Sequence, residues 1–221
     1  MKKYQILIQI MIMICLSIGL INDQSLSQDL NADNELDEKV KVFLDENNRR
    51  WRDSNVPYSD GQLLFDIIVE NKYQSALEIG TSTGHSGTWI AWAMSKTGGK
   101  LITIEIDERR YNQALENFEE AGIAEYVDAR LADAHDLVKE LEGPFDFVFS
   151  DADKEWYTQY FKDIYPKLEV GGCFTAHNIS RSGRGQRGTG EFYDYVRSLP
   201  NMETTLNSSG GGVSISYKRS E

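Results

Sequence analysis

Short apolar runs alternate with longer amphipathic segments along most of this 221-residue chain. The runs have the length and composition of buried strands. They cover residues 76–79, 100–104, 126–131, 145–149 and 173–176. Because a segment with helical periodicity comes after each of them, the pattern predicts a parallel, doubly wound α/β sheet that binds ligands at the carboxyl ends of its strands.

Helices are predicted where apolar residues recur at intervals of three and four positions. They cover residues 35–50, 86–94, 108–121, 134–141, 156–168 and 191–199. A further helix is expected to begin at Ser59, because Ser59 and Gln62 have the spacing of a capping box ahead of an apolar segment. Two short runs, 204–206 and 212–217, predict a terminal antiparallel hairpin.

The turn after the first strand carries the strongest ligand-binding signal. Gly80 and Gly84 stand four positions apart between that strand and the next helix. Glycine allows backbone angles that other residues resist, and the free N–H groups that begin the helix face the same crevice. The spacing differs from the G-x-G-x-x-G of dinucleotide sites and from the phosphate loop. A nucleoside without a pyrophosphate therefore fits better.

An acidic residue, Glu105, ends the second strand. In sheets of this kind a carboxylate at that position binds the hydroxyls of a ribose. The alternative is a glycine turn that only connects two elements, with Glu105 solvated at the strand end. Turn, spacing and acid occur together in one strand-helix-strand unit, which favours a nucleoside site.

Further polar side chains follow the fourth and fifth strands: Asp151 after the fourth, and His177 and Asn178 after the fifth. If these strands are neighbours, the three side chains lie close together. One carboxylate, one imidazole and one amide oxygen suit a divalent cation. The residues alone leave an alternative equally open, in which Asp151 caps the next helix and His177 and Asn178 make turn hydrogen bonds.

Two motifs resemble a known family. Glu78, Gly80, Gly84 and Glu105 together resemble the S-adenosylmethionine site of class I methyltransferases. The segment Phe-Ser-Asp-Ala-Asp-Lys at 149–154 is similar to the metal and catalytic segment of the cation-dependent O-methyltransferases, the family of catechol and caffeoyl-coenzyme A O-methyltransferases. The resemblance runs from about residue 59 to residue 218. It implies a Rossmann-like, seven-stranded methyltransferase sheet, and transfer of a methyl group from S-adenosylmethionine to a phenolic or catechol-type hydroxyl.

The resemblance also implies roles for individual residues. Lys154 would be the catalytic base, and Asp151, His177 and Asn178 would be the metal ligands. The segment at 133–135 resembles the family's adenine loop. The implied cofactor-binding residues are Val56, Glu78, Gly80, Thr81, Ser82, Gly84, Ser86, Glu105, Ile106, Asp133, Ala134, His135 and Asp151.

One position departs from the family pattern. His177 stands where the family's fifth strand ends in aspartate. Replacing an anionic oxygen with a neutral nitrogen removes one charge and shifts the preference of the site from magnesium toward manganese, iron or zinc. A cation-free enzyme that relies on Lys154, or on His177 as base, therefore stays open as an alternative.

The N-terminus has the pattern of a secretory leader, with Lys2 and Lys3 followed by an apolar run from Ile6 to Ile21. We expect a signal peptide or membrane anchor over residues 1–27, a polar linker and helix over 28–58, and the methyltransferase domain over 59–221. The protein would then be periplasmic or secreted, in contact with a membrane only if the leader is uncleaved. It would be cytoplasmic if the leader is not functional.

Charge limits the partners. The net charge is −12 and the isoelectric point is about 4.8, which argue against nucleic-acid binding. The expected partner is a small hydroxylated phenol, and a homodimer is left open. Arg181, Arg184 and Arg187 form the one basic cluster, expected either to recognise an anionic phenol or to be solvated.

A rival hypothesis comes from another functional class: an exported binding module on the same fold, without turnover. The leader and the missing aspartate at position 177 favour it. The intact cofactor turn and Lys154 oppose it.

Overall fold

The computed structural model describes residues 34–48, 51, 55–180 and 188–221. The predicted leader and the arginines at 181, 184 and 187 lie outside the described residues. Within those described, no helix combines the length and the apolar composition that crossing a bilayer requires.

One mixed sheet forms the centre of the molecule. Its strands are β1 (Ser75–Ile79), β2 (Lys100–Glu105), β3 (Val127–Leu131), β4 (Phe145–Ser150), β5 (Leu168–Ala176), β6 (Met202–Asn207) and β7 (Val213–Lys218). The seven strands lie in the order β3-β2-β1-β4-β5-β7-β6. The first five run parallel, and β7 is antiparallel to both β5 and β6. This confirms the predicted doubly wound sheet with its terminal antiparallel hairpin.

Helices cover both faces of the sheet. They are α1 (34–47), α2 (Tyr58–Asn71), α3 (His85–Thr97), α4 (Glu108–Ala121), α5 (Ala134–Glu140), α6 (Tyr157–Ile164) and α7 (Thr189–Ser198). Short 3-10 turns span Ala124–Tyr126, Lys154–Trp156 and Tyr165–Lys167. The strand order reverses beside β1, because the chain passes from β1 to β2 and β3 on one side and to β4 and β5 on the other. Such a switch point opens a crevice at the carboxyl ends of the strands.

Two hydrophobic clusters hold the helices on the sheet. Trp89 and Phe118 belong to the cluster on one face, and Phe161 and Phe192 to the cluster on the other. The first cluster also contains Val40, Phe43 and Leu44 of α1. The sequence predicted this helix in a segment separate from the domain at 59–221. In the structure, helix α1 packs on the same core as that domain.

The structure corrects two local predictions. Helix α2 begins at Tyr58 with Pro57 as its N-cap, so Ser59 lies inside the helix and the expected capping box does not form. The helix predicted over 156–168 ends as an α-helix at Ile164, because Pro166 has no N–H to continue it. Strand β5 then begins at Leu168. Residues 169–171 of this strand are exposed, so the apolar pattern predicted only its second half, from Cys173.

Candidate active site

A cleft of about 580 Å³ lies at the carboxyl ends of the parallel strands. Each strand around the switch point contributes one of the expected residues to its wall. Gly80 follows β1, Glu105 ends β2, Asp151 follows β4 and His177 follows β5. The volume is that of a small-molecule site, and its place is where a doubly wound sheet binds ligands.

The two predicted glycines are required by their surroundings. Gly80 has a φ of 100°, and a Cβ placed on it would lie 2.9 Å from the carbonyl oxygen of Asp151. Gly84 begins α3 with a φ of 91°, and its Cβ would lie 2.9 Å from the ring of Phe118. Because both conformations are left-handed and both sites are crowded, only glycine is accommodated without strain. The main chain at Gly80 consequently forms part of the cleft wall.

Backbone hydrogen bonds hold the carboxylate of Glu105 in place. Oε2 accepts from the N–H of Ser82 (2.7 Å), and Oε1 accepts from Ile106 (3.1 Å) and Asp107 (3.0 Å). Glu105 is buried but lines the cleft. Ser82 has a left-handed φ of 50°, which is strained for a residue other than glycine. The hydrogen bond from its N–H to Glu105 holds it in that conformation. A fixed carboxylate on the wall suits recognition of a diol.

Glu78 lies behind the cleft wall. Its Oε1 accepts a hydrogen bond from the Ser86 hydroxyl and its Oε2 from the Thr103 hydroxyl, both at 2.6 Å. Burial raises the pKa of Glu78 to about 8, although these hydroxyls oppose the shift. Ser86 lines the cleft, so its hydroxyl connects Glu78 to the cleft wall.

The structure places the predicted cofactor residues in two groups. Nine of them line the cleft: Gly80, Ser82, Ser86, Glu105, Ile106, Asp133, Ala134, His135 and Asp151. Val56, Glu78, Thr81 and Gly84 are not among the lining residues. Thr81 is buried, with its hydroxyl 2.5 Å from that of Thr103. The binding roles themselves stay predictions.

An aromatic wall borders the expected adenine loop. Asp133 caps α5 by accepting a hydrogen bond from the N–H of His135 (2.9 Å). The His135 ring stacks on Trp156 with centroids 3.9 Å apart and an angle of 29° between planes. Of these two rings only His135 lines the cleft, where an aromatic ring can pack against a planar base. Trp156 carried no recognisable signal in the sequence.

Sequence reasoning missed several lining residues. Ile104, Ala132, Ala152 and Asp153 stand next to residues that were named, so the strand-end rule could have found them. Arg110 and Tyr160 gave no such signal, and Asn55 stands next to the named Val56 but follows no strand. Asn55 is informative, because its Nδ2 is buried and has no hydrogen-bond partner within the described part of the chain. A buried donor without a partner fits a wall that receives a ligand.

Lys154 and Asp151 form an ion pair on the cleft wall. The Tyr157 hydroxyl donates to Asp151 Oδ1 at 3.4 Å, and the Lys154 ammonium lies 5.1 Å from the centroid of the Tyr157 ring. The next helical turn is capped by Asp153, which accepts from the N–H of Glu155 at 3.1 Å. The alternative in which Asp151 serves as that cap is therefore wrong.

His177 lies between two carboxylates. Its Nε2 is 2.9 Å from Asp60 Oδ2, and its Nδ1 is 3.1 Å from Asp151 Oδ2. Burial alone would lower the pKa of His177, but the hydrogen bonds to Asp151 and Asp60 raise it to about 9. Burial opposes ionisation of Asp60, yet hydrogen bonds from His177 and from the N–H of Gly211 hold the pKa of Asp60 below its usual value.

These contacts do not fit a divalent cation. A metal binds a ring nitrogen through its lone pair, and both ring nitrogens of His177 face carboxylate oxygens. Both oxygens of Asp151 are also engaged, Oδ2 by His177 and Oδ1 by Lys154. Asn178 lines the cleft with a left-handed φ of 60°. In the ranges that the structure covers, no group of three or more His, Cys, Asp or Glu residues is arranged to hold a metal ion.

Comparison with known sequences gives related O-methyltransferases. The sequence model of the family described as O-methyltransferase matches residues 24–207. A catechol O-methyltransferase from Niastella koreensis is 39% identical over 134 residues, which cover 59% of this chain and 60% of the relative. Caffeoyl-CoA O-methyltransferase 1 from Eucalyptus globulus is 30% identical over 138 residues, covering 60% of this chain and 56% of the relative. The match thus spans less than two thirds of each of these relatives.

Solved structures show the same fold. An O-methyltransferase from Bacillus cereus in complex with SAH has a TM-score of 0.69 at 25% identity, and the match covers 83% of this chain and 90% of that one. The O-methyltransferase TomG from Streptomyces achromogenes, in complex with SAM, has a TM-score of 0.71 at 23% identity with the same coverage of both chains. The second likeness shows the fold alone.

Proposed function

The chain belongs to the O-methyltransferase family, and from this premise we propose that it transfers the methyl group of S-adenosylmethionine to a phenolic hydroxyl of a small molecule. One observation carries the proposal: the Lys154–Asp151 pair lies on the wall of the same cleft as Gly80 and Glu105. A proton-accepting group thus borders the place where a nucleoside cofactor fits. The catechol and caffeoyl-CoA substrates named for the relatives support a phenolic acceptor.

The cleft fits the cofactor on chemical grounds. At Gly80 the main chain lies on the wall without a side chain, and Glu105 offers a fixed carboxylate for a ribose. The ring of His135, which stacks on Trp156, lines the cleft where a base would bind. Asn55 Nδ2, which has no hydrogen-bond partner among the described residues, is a donor that a carboxylate or hydroxyl of the ligand would satisfy. When bound, S-adenosylmethionine would supply a methyl group on a positively charged sulfur; the acceptor oxygen would gain this methyl as the bond from sulfur to methyl breaks and leaves a neutral thioether.

Lys154 prepares the acceptor oxygen. A phenol with a pKa near ~10 is a weak nucleophile while it keeps its proton. Lys154 is paired with Asp151 as an ammonium. Once this ammonium has released a proton to solvent, the amine takes the phenolic proton at Nζ, and Asp151 stabilises the ammonium that is restored. Tyr157 restrains the Asp151 carboxylate through its hydroxyl, so the pair keeps its orientation. No step of this mechanism passes through a metal ion, because the donor set does not fit one.

Substitution of Lys154 tests the proposal. We expect Lys154→Met to lower kcat for catechol methylation by roughly 10²- to 10⁴-fold, the usual contribution of a positioned base. The Kd of S-adenosylmethionine, measured by calorimetry, should stay nearly constant. Lys162→Met is the matched control, since Lys162 is exposed on α6 away from the cleft.

The same experiment separates the proposal from its rival. A wild-type protein that binds S-adenosylmethionine but methylates no phenol would be a binding module. Absence of cofactor binding would reject the site itself. Equal losses in Lys154→Met and Lys162→Met would remove Lys154 from the mechanism.

A further inference from the structure

A buried carboxylate outside the expected site contacts its centre. Asp60 is 1% exposed and lies in the first turn of α2. Its Oδ2 is 2.9 Å from His177 Nε2 and accepts a hydrogen bond from the N–H of Gly211 at 2.7 Å. Helix α2, the end of β5 and the turn between β6 and β7 therefore meet on this one side chain.

The turn between β6 and β7 seals this contact. A Cβ on Gly210 would lie 1.8 Å from Asp60 Oδ1, and a Cβ on Gly211 would lie 2.3 Å from His177 Nε2. The bare backbone of the turn therefore rests directly on the Asp60–His177 pair, with no space for a side chain between them. Shielding from water strengthens a hydrogen bond between charged partners.

The charges in the group balance without an added ion. Ionised carboxylates only accept hydrogen bonds, so His177 donates from both ring nitrogens, to Asp60 and to Asp151. Asp151 is also paired with Lys154. Two carboxylates thus face two cationic side chains. Binding a divalent cation would require His177 to lose a proton and both of its hydrogen bonds.

We propose that Asp60 is a positioning residue that holds His177 as an imidazolium against Asp151. The positive charge of His177 then does for Asp151 what the family resemblance assigns to a divalent cation. The role rests on the proposed function, because it matters only if Asp151 and Lys154 act on the acceptor. With one oxygen of Asp151 fixed by His177, the other is directed at Lys154. Methyl transfer is consequently independent of divalent cations.

The first test uses the unmodified full-length chain. Removal of metals with a chelator should leave the rate of methyl transfer to catechol unchanged. Adding magnesium or manganese to the metal-free protein should not raise that rate. Electron paramagnetic resonance should detect no manganese bound in the cleft. ¹⁵N NMR at neutral pH should show both ring nitrogens of His177 protonated. Loss of activity on chelation with recovery by magnesium, or one bound manganese that His177→Ala removes, would overturn the proposal.

The second test uses Asp60→Asn, which keeps the shape and removes the charge. We expect kcat to fall roughly 10- to 100-fold, as for other groups that orient a reacting residue, with the Kd of S-adenosylmethionine nearly constant. The ¹⁵N signals of His177 should change to those of a neutral ring. Asp66→Asn is the control, because Asp66 is exposed on the same helix and, in the part of the chain that the structure describes, its side chain bonds only Gln62. An unchanged His177 signal in Asp60→Asn would contradict the proposal.

The two hypotheses fail in different ways. A wild-type chain that methylates catechol only with an added divalent cation rejects the cation-free network and keeps the methyltransferase. A chain that neither binds S-adenosylmethionine nor transfers methyl groups rejects the proposed function. The NMR and manganese measurements still decide the state of His177 in that case, since neither depends on turnover.

Discussion

Nε2 of His177 lies 2.9 Å from Oδ2 of Asp60, although 117 positions separate the two residues. The same carboxylate oxygen accepts from Gly211, which is a further 34 positions along the chain from His177. Helix α2, strand β5 and the β6–β7 turn are thus joined at one buried point beside the cleft. A change in any of these three segments should therefore alter the positions of the residues that line the cleft.

Adding a methyl group to the β6–β7 turn tests this connection. In Gly211→Ala the new Cβ would lie 2.3 Å from His177 Nε2, and the ring is held at both nitrogens. We expect the free energy of unfolding, measured in urea, to fall by about 1–3 kcal/mol, which is typical of overpacking. The kcat for catechol should fall as well, because a displaced His177 ring loses the geometry of its contacts with Asp60 and Asp151.

Gly190→Ala is the matched control for that substitution. Gly190 lies in α7, and a Cβ there would meet no atom of the described residues within 4 Å. Alanine favours a helix over glycine by about 1 kcal/mol, so stability should be unchanged or slightly higher. Similar losses in the two variants would mean that crowding at His177 is not the cause.

The fold was largely predictable because its signals are local. The helix predicted at 108–121 is observed as Glu108–Ala121, since Asp107 caps its start and Gly122 its end with a φ of 78°. Alternation of such helices with apolar runs defines a parallel sheet without further information. The boundary between α6 and β5 was missed because exposed residues 169–171 lack the apolar pattern of a strand.

The site was predictable only in part. Residues that end parallel strands share one edge of the sheet, so Gly80, Glu105 and Asp151 were expected together and do line one cleft. Asp60 follows no strand. Its partners depend on how α2 and the β6–β7 turn pack over the strand ends, and no local pattern encodes which distant residue a helix start will face.

Removing the carboxylate of Glu105 tests the cofactor site. In Glu105→Ala the N–H groups of Ser82, Ile106 and Asp107 lose their acceptor, and the predicted ribose contact is lost with them. We expect the binding free energy of S-adenosylmethionine, measured by calorimetry, to weaken by about 1.5–3 kcal/mol. Unchanged affinity would reject the nucleoside assignment of this wall.

Glu108→Ala provides the comparison for Glu105. Glu108 is exposed in the first turn of α4 and is not among the residues that line the cleft. Its removal should leave the affinity nearly constant and weaken the helix by about 0.3–1 kcal/mol, because a negative charge leaves the helix N-terminus. A loss of affinity equal to that of Glu105→Ala would point to a general charge effect.

The last prediction concerns Glu78 and the dependence of stability on pH. Burial raises the pKa of Glu78 to about 8 from an ordinary value of 4.5. Between these values the folded protein keeps a proton that the unfolded chain has lost, so stability falls as pH rises through this window and levels off above it. The contribution is on the order of 5 kcal/mol, since one pKa unit corresponds to about 1.4 kcal/mol.

Glu78→Gln isolates that contribution, because glutamine stays neutral and keeps an acceptor oxygen for the hydroxyl of Ser86 or Thr103. The free energy of unfolding should fall less steeply with pH in the variant than in the wild type. Subtracting the two curves removes the parallel contribution of His177, whose pKa is raised to about 9 and whose stabilisation is also lost as pH rises. Identical slopes in Glu78→Gln and the wild type would mean that Glu78 is ionised in the folded protein at neutral pH.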